Sequence, residues 1–258
     1  MLKISVIGGS VSQAFGLEGQ GIEWPSLLRE QIADEADVER VSSIGFLNPT
    51  SLIRFIKTSK PSDVLIIHMG TSVGWPVIHA PLERLLRPEH RHDAAFHLPT
   101  TATISNRHLV KRALRHTLRN LLKFSAFPFG LYRPRQSIRD LESDLASAFI
   151  EASKLASHVV WMQHRTLGYR RLFLERWVYQ RYFNRIQSQV RRRAMEFENF
   201  HLVEIPDGFL SQDNFTLDGV HVSSQGHRKL ATLIEKSLRA AGILQNRDGF
   251  TRFSQEIA

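Results

Sequence analysis

The chain of 258 residues contains no cysteine. Disulfides, thiol nucleophiles and thiolate-bound zinc are thereby excluded, and a nucleophile, if there is one, must come from another side chain. Long apolar runs are also missing: nothing approaches the ~18 to 20 apolar residues of a bilayer-spanning helix. The first residues carry a single base, Lys3, and a short apolar run broken by Gly8 and Gly9, which is not a secretory signal pattern. A soluble, cytoplasmic protein without a transmembrane segment is the expectation. Acidic charge is scarce, with 25 Asp and Glu against 34 Lys and Arg, a net charge of +9. Such a surface attracts anionic polymers, anionic lipid or an acidic protein partner.

Other signatures are absent too. The first turn reads Gly8-Gly9-Ser10-Val11-Ser12-Gln13, which does not fit G-x-G-x-x-G, and no P-loop Gly-Lys-Ser/Thr occurs. The histidines at 79, 90, 92 and 97 fall in no HExxH or other zinc frame. Neither a cofactor nor a metal is expected. No helix-turn-helix, zinc-finger or RNA-reading motif accompanies the positive charge, so no specific nucleic-acid partner is expected.

What is present alternates between strand and helix. Leu2, Ile4, Val6 and Ile7 read as a short buried strand that Gly8-Gly9 break before Ser10. Val11 to Leu17 can start a helix, which would place Ser10 on a strand-to-helix elbow beside helix amides that favour negative charge. Trp24 to Ala33 reads as a helix with Pro25 in its first turn, Val38 to Ile44 as a second strand ending at Gly45, and Ser51 to Thr58 as a helix. Asp63 to Met69 (DVLIIHM) is the clearest buried strand and runs into Gly70-Thr71-Ser72. Ser137 to Ser157 is helical, His158 to Gln163 a strand, and His164 follows at the sheet edge where ligands bind in open α/β folds. A helical stretch spans Tyr169 to Phe200, with Phe173, Trp177, Phe183, Ile186 and Val190 as buried positions. His201 to Ile205 and a closing helix, Leu230 to Ala241, complete the pattern. The fold class is α/β: a three-layer α/β/α sandwich on a mostly parallel sheet.

Residues 75 to 135 depart from this alternation. Prolines punctuate the stretch, which reads as a helical insertion or lid within a single domain spanning 1–258. Inside it, Arg107, Lys111, Arg115, Arg119 and Lys123 recur every four residues along a helix of about Ser105 to Phe124. This ridge of like charge reads either as a solvated face or as a docking face for an acidic protein, an anionic polymer or membrane headgroups.

Between the last strand and the closing helix lies Asp218-Gly219-Val220-His221. An Asp three residues before a His on one tight loop can hold the imidazole Nδ1–H and stabilise the imidazolium formed when Nε2 takes a proton. Ser10 in VIGGS, Gly45 in SSIGFLNPTS, Gly70-Thr71-Ser72 in DVLIIHMGTS and Asp218 with His221 in LDGVHVSSQGHRKLA occur in that order. In these blocks the chain resembles the SGNH/GDSL hydrolase superfamily, whose sheet and helical layers are flavodoxin-like. The resemblance implies that Ser10 is the nucleophile, His221 the general base and then acid, and Asp218 the residue that orients His221. It also implies an oxyanion hole built on the backbone amides of Ser10 and Gly45. Two positions depart from the family pattern. Gly9 stands where an Asp is frequent, and Ser72 stands where the family has its oxyanion Asn. A serine hydroxyl reaches less far than a carboxamide, and losing one oxyanion donor costs roughly 100- to 1000-fold in rate. Asn48 and His164 are candidate substitute donors.

The function implied is a serine esterase or deacylase acting on an O-acyl ester, including esters of carbohydrate. Two alternatives stand beside it: an acyltransferase passing the acyl group to a sugar hydroxyl, and a non-catalytic scaffold with a basic docking surface.

Overall fold

The structure, a computed structural model, describes residues 1–12, 23–41, 49–69, 74–78, 120–121, 123–134, 136–166, 173–216 and 219–245. Its framework is a five-stranded sheet in the order Ala36–Arg40, Leu2–Gly8, Ser62–His68, Ala156–Met162, Phe200–Val203. The strands are β1 (Leu2–Gly8), β2 (Ala36–Arg40), β3 (Ser62–His68), β6 (Ala156–Met162) and β7 (Phe200–Val203), and every pairing among them is parallel. A separate two-stranded antiparallel ladder joins β4 (Val77–Ile78) to β5 (Tyr132–Arg133). Parallel neighbours require crossovers, and these are supplied by α1 (Trp24–Gln31), α2 (Pro49–Thr58), α3 (Ile138–Leu155) and α4 (Phe173–Glu196). The closing helix α5 (Ser224–Ala240) packs on α1.

Strand alternation sorts the apolar residues into two cores. Leu65 and Ile67 of β3, with Val159 and Trp161 of β6, face a cluster completed by α2, α3 and α4. Val64, Ile66, Val160 and Met162 face the opposite cluster, which Trp24, Leu28, Leu230 and Ile234 complete. The run VLII is continuously apolar because both of its faces are covered.

Two sequence expectations need correction. Phe173 and Trp177 were expected inside α4 but lie 75% and 52% exposed, whereas Phe183, Ile186 and Val190 are buried as expected. The helix phase is taken by Glu175, Val178, Tyr179 and Tyr182 instead. Glu175 occupies an inward position because two donors meet its carboxylate there: the Lys123 ammonium at 2.7 Å and the Tyr132 hydroxyl. Lys123 is therefore not part of an exposed ridge; it is buried, with Nζ 5.6 Å from the centre of the Tyr132 ring. Arg107, Lys111, Arg115 and Arg119 lie outside the described residues.

Around this ion pair, the segments that flank residues 79–119 rest against α4. Trp75 stacks on Tyr179 with ring centres 4.3 Å apart, and the Tyr182 hydroxyl donates to the Gln136 carbonyl at 2.8 Å. Gly74 allows the approach, since a Cβ there would fall 2.6 Å from Tyr182 Cβ. Removing one member of a buried pair strands the other charge. Lys123→Met should lower unfolding free energy by about 3 kcal/mol, and adding Glu175→Gln should recover most of the loss. Urea unfolding of the single and double variants measures both.

Candidate active site

Ser10 opens a short 3₁₀ turn, Ser10–Ser12, directly beyond β1. The turn is closed by the Gly9 carbonyl, which accepts from the Ser12 amide at 3.0 Å and the Ser12 hydroxyl at 3.1 Å. Gly8 is required by this close approach: a Cβ there would lie 1.8 Å from Ser12 Oγ and 2.7 Å from Ser12 Cβ. Gly8, Gly9, Val11 and Ser12 are buried, and Ser10 alone of residues 8–12 is partly exposed. The local backbone thus turns one hydroxyl outward at the carboxyl edge of the sheet.

His221 sits on a tight loop that precedes α5. Phe215 and Val222 bridge antiparallel, and the Thr216 amide donates to the His221 carbonyl at 2.8 Å. Gly219 turns the chain between them with φ at +67°, a conformation that glycine adopts without strain, and its amide donates to the Thr216 carbonyl at 2.9 Å. Beyond the loop, the Ser223 hydroxyl caps α5 by accepting from the Gly226 amide at 3.1 Å. This cap starts the helix at Ser224, ahead of the Leu230 expected from sequence. Gly226 lies against the Asn214 carbonyl, where a Cβ would come within 2.3 Å. His221 itself is half-buried.

Ser10, the end of β3 and His164 all emerge at the same edge, because the strands that precede them are parallel and adjacent. Gly8 is directly opposite His68 in the β1–β3 register. Gly45, Asn48, Ser72 and Asp218 lie outside the described residues, as do the histidines at 79, 90, 92 and 97. His164, considered from sequence as a substitute oxyanion donor, is only 1% exposed. Its Nδ1 is 3.1 Å from His68 Nε2, so it belongs to a buried polar chain and is not open to a substrate.

That chain escaped the sequence reading. The Trp24 indole N–H donates to His68 Nδ1 at 3.1 Å, and the Trp24 backbone amide meets His227 Nδ1 at 3.3 Å. His68 and His227 are fully buried. The available signal was His68 itself, a polar ring in a strand buried on both faces, which needs a partner. Burial holds the His68 ring well below the ordinary imidazole range, with His164 and His227 adding to the effect. Burial likewise pushes His164 down to about 3; His227 adds to this, the Val220 backbone opposes it, and His221 contributes a smaller lowering. Both rings are neutral at physiological pH.

No protein-family model and no curated protein matches the chain. Among solved structures it is similar to a member of the lipolytic G-D-S-L family from Veillonella parvula, at 13% identity and a TM-score of 0.53, over 92% of this chain and 97% of that one. It is similar to the lipase/acylhydrolase from Enterococcus faecalis at 14% identity and a TM-score of 0.56, over 95% and 98% of the two chains. A catalytic mutant of an acetylxylan esterase from Geobacillus stearothermophilus matches at 16% identity and a TM-score of 0.51, over 93% and 94%. The chain carries the SGNH/GDSL hydrolase fold. Among the described residues, no helix is long and apolar enough to cross a membrane.

The buried histidines have a consequence for stability. Their protons bind more readily in the unfolded chain, so stability rises with pH between the folded and unfolded values and falls as the solution is acidified below about 6.5. Each ring contributes up to about 1.4 kcal/mol per pH unit within that window. Urea unfolding at pH 7.5, 6 and 5 should show a progressive loss that His164→Asn makes shallower.

Proposed function

We propose that the chain is a serine-dependent esterase or deacylase that cleaves an O-acyl ester through Ser10, His221 and Asp218. The observation that carries the reading is the elbow after β1: Ser10 is the one partly exposed residue between buried Gly8 and Ser12. It lies at the carboxyl edge of the sheet, where ligands bind in open α/β folds. The braced loop before α5 supplies His221, whose motif partner is Asp218.

In this reading Ser10 Oγ attacks the ester carbonyl carbon while His221 takes the hydroxyl proton. The carbonyl π electrons move onto oxygen, and the backbone amides of Ser10 and Gly45 hold that oxyanion, with Ser72 adding its hydroxyl. Collapse breaks the C–O bond to the alcohol, which leaves with the proton from His221. Water then repeats the sequence on the acyl-Ser10 ester, releasing the acid and restoring the serine. Asp218 orients His221 and stabilises its charged form. Acylated carbohydrates fit as a substrate class, since one structural neighbour is named an acetylxylan esterase.

A fluorophosphonate probe should label the wild type and leave Ser10→Ala and His221→Ala unlabelled. Hydrolysis of p-nitrophenyl acetate should fall by roughly 10⁴-fold in either variant. Folded wild-type protein that neither labels nor hydrolyses overturns the reading. Slow hydrolysis with product transfer to an added sugar would replace hydrolysis with acyl transfer.

A further inference from the structure

We infer that His68 and His164 are positioning residues: with Trp24 they form a directional hydrogen-bonded chain that seats the loop bearing His221. The inference rests on the reading of His221 as the general base.

The direction follows from the head of the chain. An indole nitrogen can only donate. Because Trp24 Nε1–H points at His68 Nδ1 across 3.1 Å, that nitrogen must be the acceptor and the ring proton must sit on Nε2. His68 Nε2 faces His164 Nδ1 at 3.1 Å, so it donates in turn. The proton of His164 is thereby placed on its own Nε2. One fixed donor sets both tautomers, and a second proton on either ring would set two N–H groups against each other. Trp24 and His68 are completely buried and His164 is 1% exposed, so water does not compete for these bonds.

The far end of the chain lies against the loop. The His164 ring centre is 5.7 Å from that of Phe215 and 5.9 Å from that of Phe209. Phe215 bridges to Val222, the residue after His221. The residue after His221 is therefore tied to the His164 imidazole through Phe215. Trp24 also anchors α5 through its backbone amide and His227. The ends of β3 and β6 and the starts of α1 and α5 meet in this polar chain. An apolar cluster could fill the same volume without the desolvation cost of three rings. What the polar chain adds is a single orientation, and displacement of a reacting group by about 1 Å costs up to about 100-fold in rate.

The test combines histidine ¹⁵N NMR, amide hydrogen exchange and ester hydrolysis on wild type, Trp24→Phe, His68→Leu and His68→Gln. In the wild type at pH 6 both rings should be neutral Nε2–H tautomers. Trp24→Phe keeps an aromatic ring but loses the donor, so His68 should become a mixture of tautomers. His68→Leu should speed exchange at Val220 and His221 by about tenfold or more relative to β1. It should also lower kcat with KM nearly unchanged. His68→Gln, which keeps a donor toward His164, should restore much of both. Should His68→Leu fail to fold, Trp24→Phe carries the same comparison. An Nδ1–H tautomer of either ring in the wild type overturns the inference. So does a folded Trp24→Phe or His68→Leu with unchanged exchange at Val220 and His221. If the wild type hydrolyses no ester, the NMR and exchange results still decide the chain, and only the functional reading falls.

Discussion

The parallel pairing of β1 with β3 is the contact on which the rest of the structure depends. Parallel strands finish at the same edge, so whatever follows each strand emerges beside its neighbour. The register sets Gly8 against His68 and His68 against Met162. That places the Ser10 elbow next to the end of β3 and puts His164 one strand further along. No long-range contact between the site residues themselves is needed to gather them. The loop bearing His221 arrives by another route, as the approach to a helix that packs on α1.

A sheet buried on both faces leaves little room for polar groups at its end, and there Trp24, His68 and His164 are joined donor to acceptor. Leaving a buried polar group unsatisfied costs about 1–3 kcal/mol, whereas a satisfied bond contributes about 1 kcal/mol net. The chain from Trp24 to His164 therefore matters more for geometry than for gross stability, which comes from the two apolar clusters. The same physics governs Lys123, Glu175 and Tyr132, where one buried carboxylate determines which face of α4 turns inward. Each polar cluster joins elements distant in sequence, one at the sheet edge and the other between α4 and the segments flanking residues 79–119.

Much of the framework was legible because it follows from local chemistry. DVLIIHM reads as a strand covered on both sides, and the structure covers it on both sides. The glycines before Ser10 forecast the turn, and the structure shows why: Ser12 occupies the space that a Gly8 side chain would need. Periodicity misled where a charge took an apolar slot. In α4, Phe173 and Trp177 look like core residues until Glu175 is drawn inward by partners that lie far away in sequence. The start of α5 was hidden for a related reason. Gly226 lets the capped first turn touch the Asn214 carbonyl, a contact with a residue outside the helix.

By itself, the sequence determined the strand–helix alternation, the turn at Ser10 and the motif spacing of Asp218 and His221, because each depends on residues within a few positions of one another. Only the tertiary structure decided that Lys123 is buried, that His164 supports a loop instead of facing a substrate, and that Trp24 directs two histidines. Those outcomes depend on burial and on partners dozens of residues away in sequence. A side chain's hydrogen-bonding role is defined only once its environment has formed.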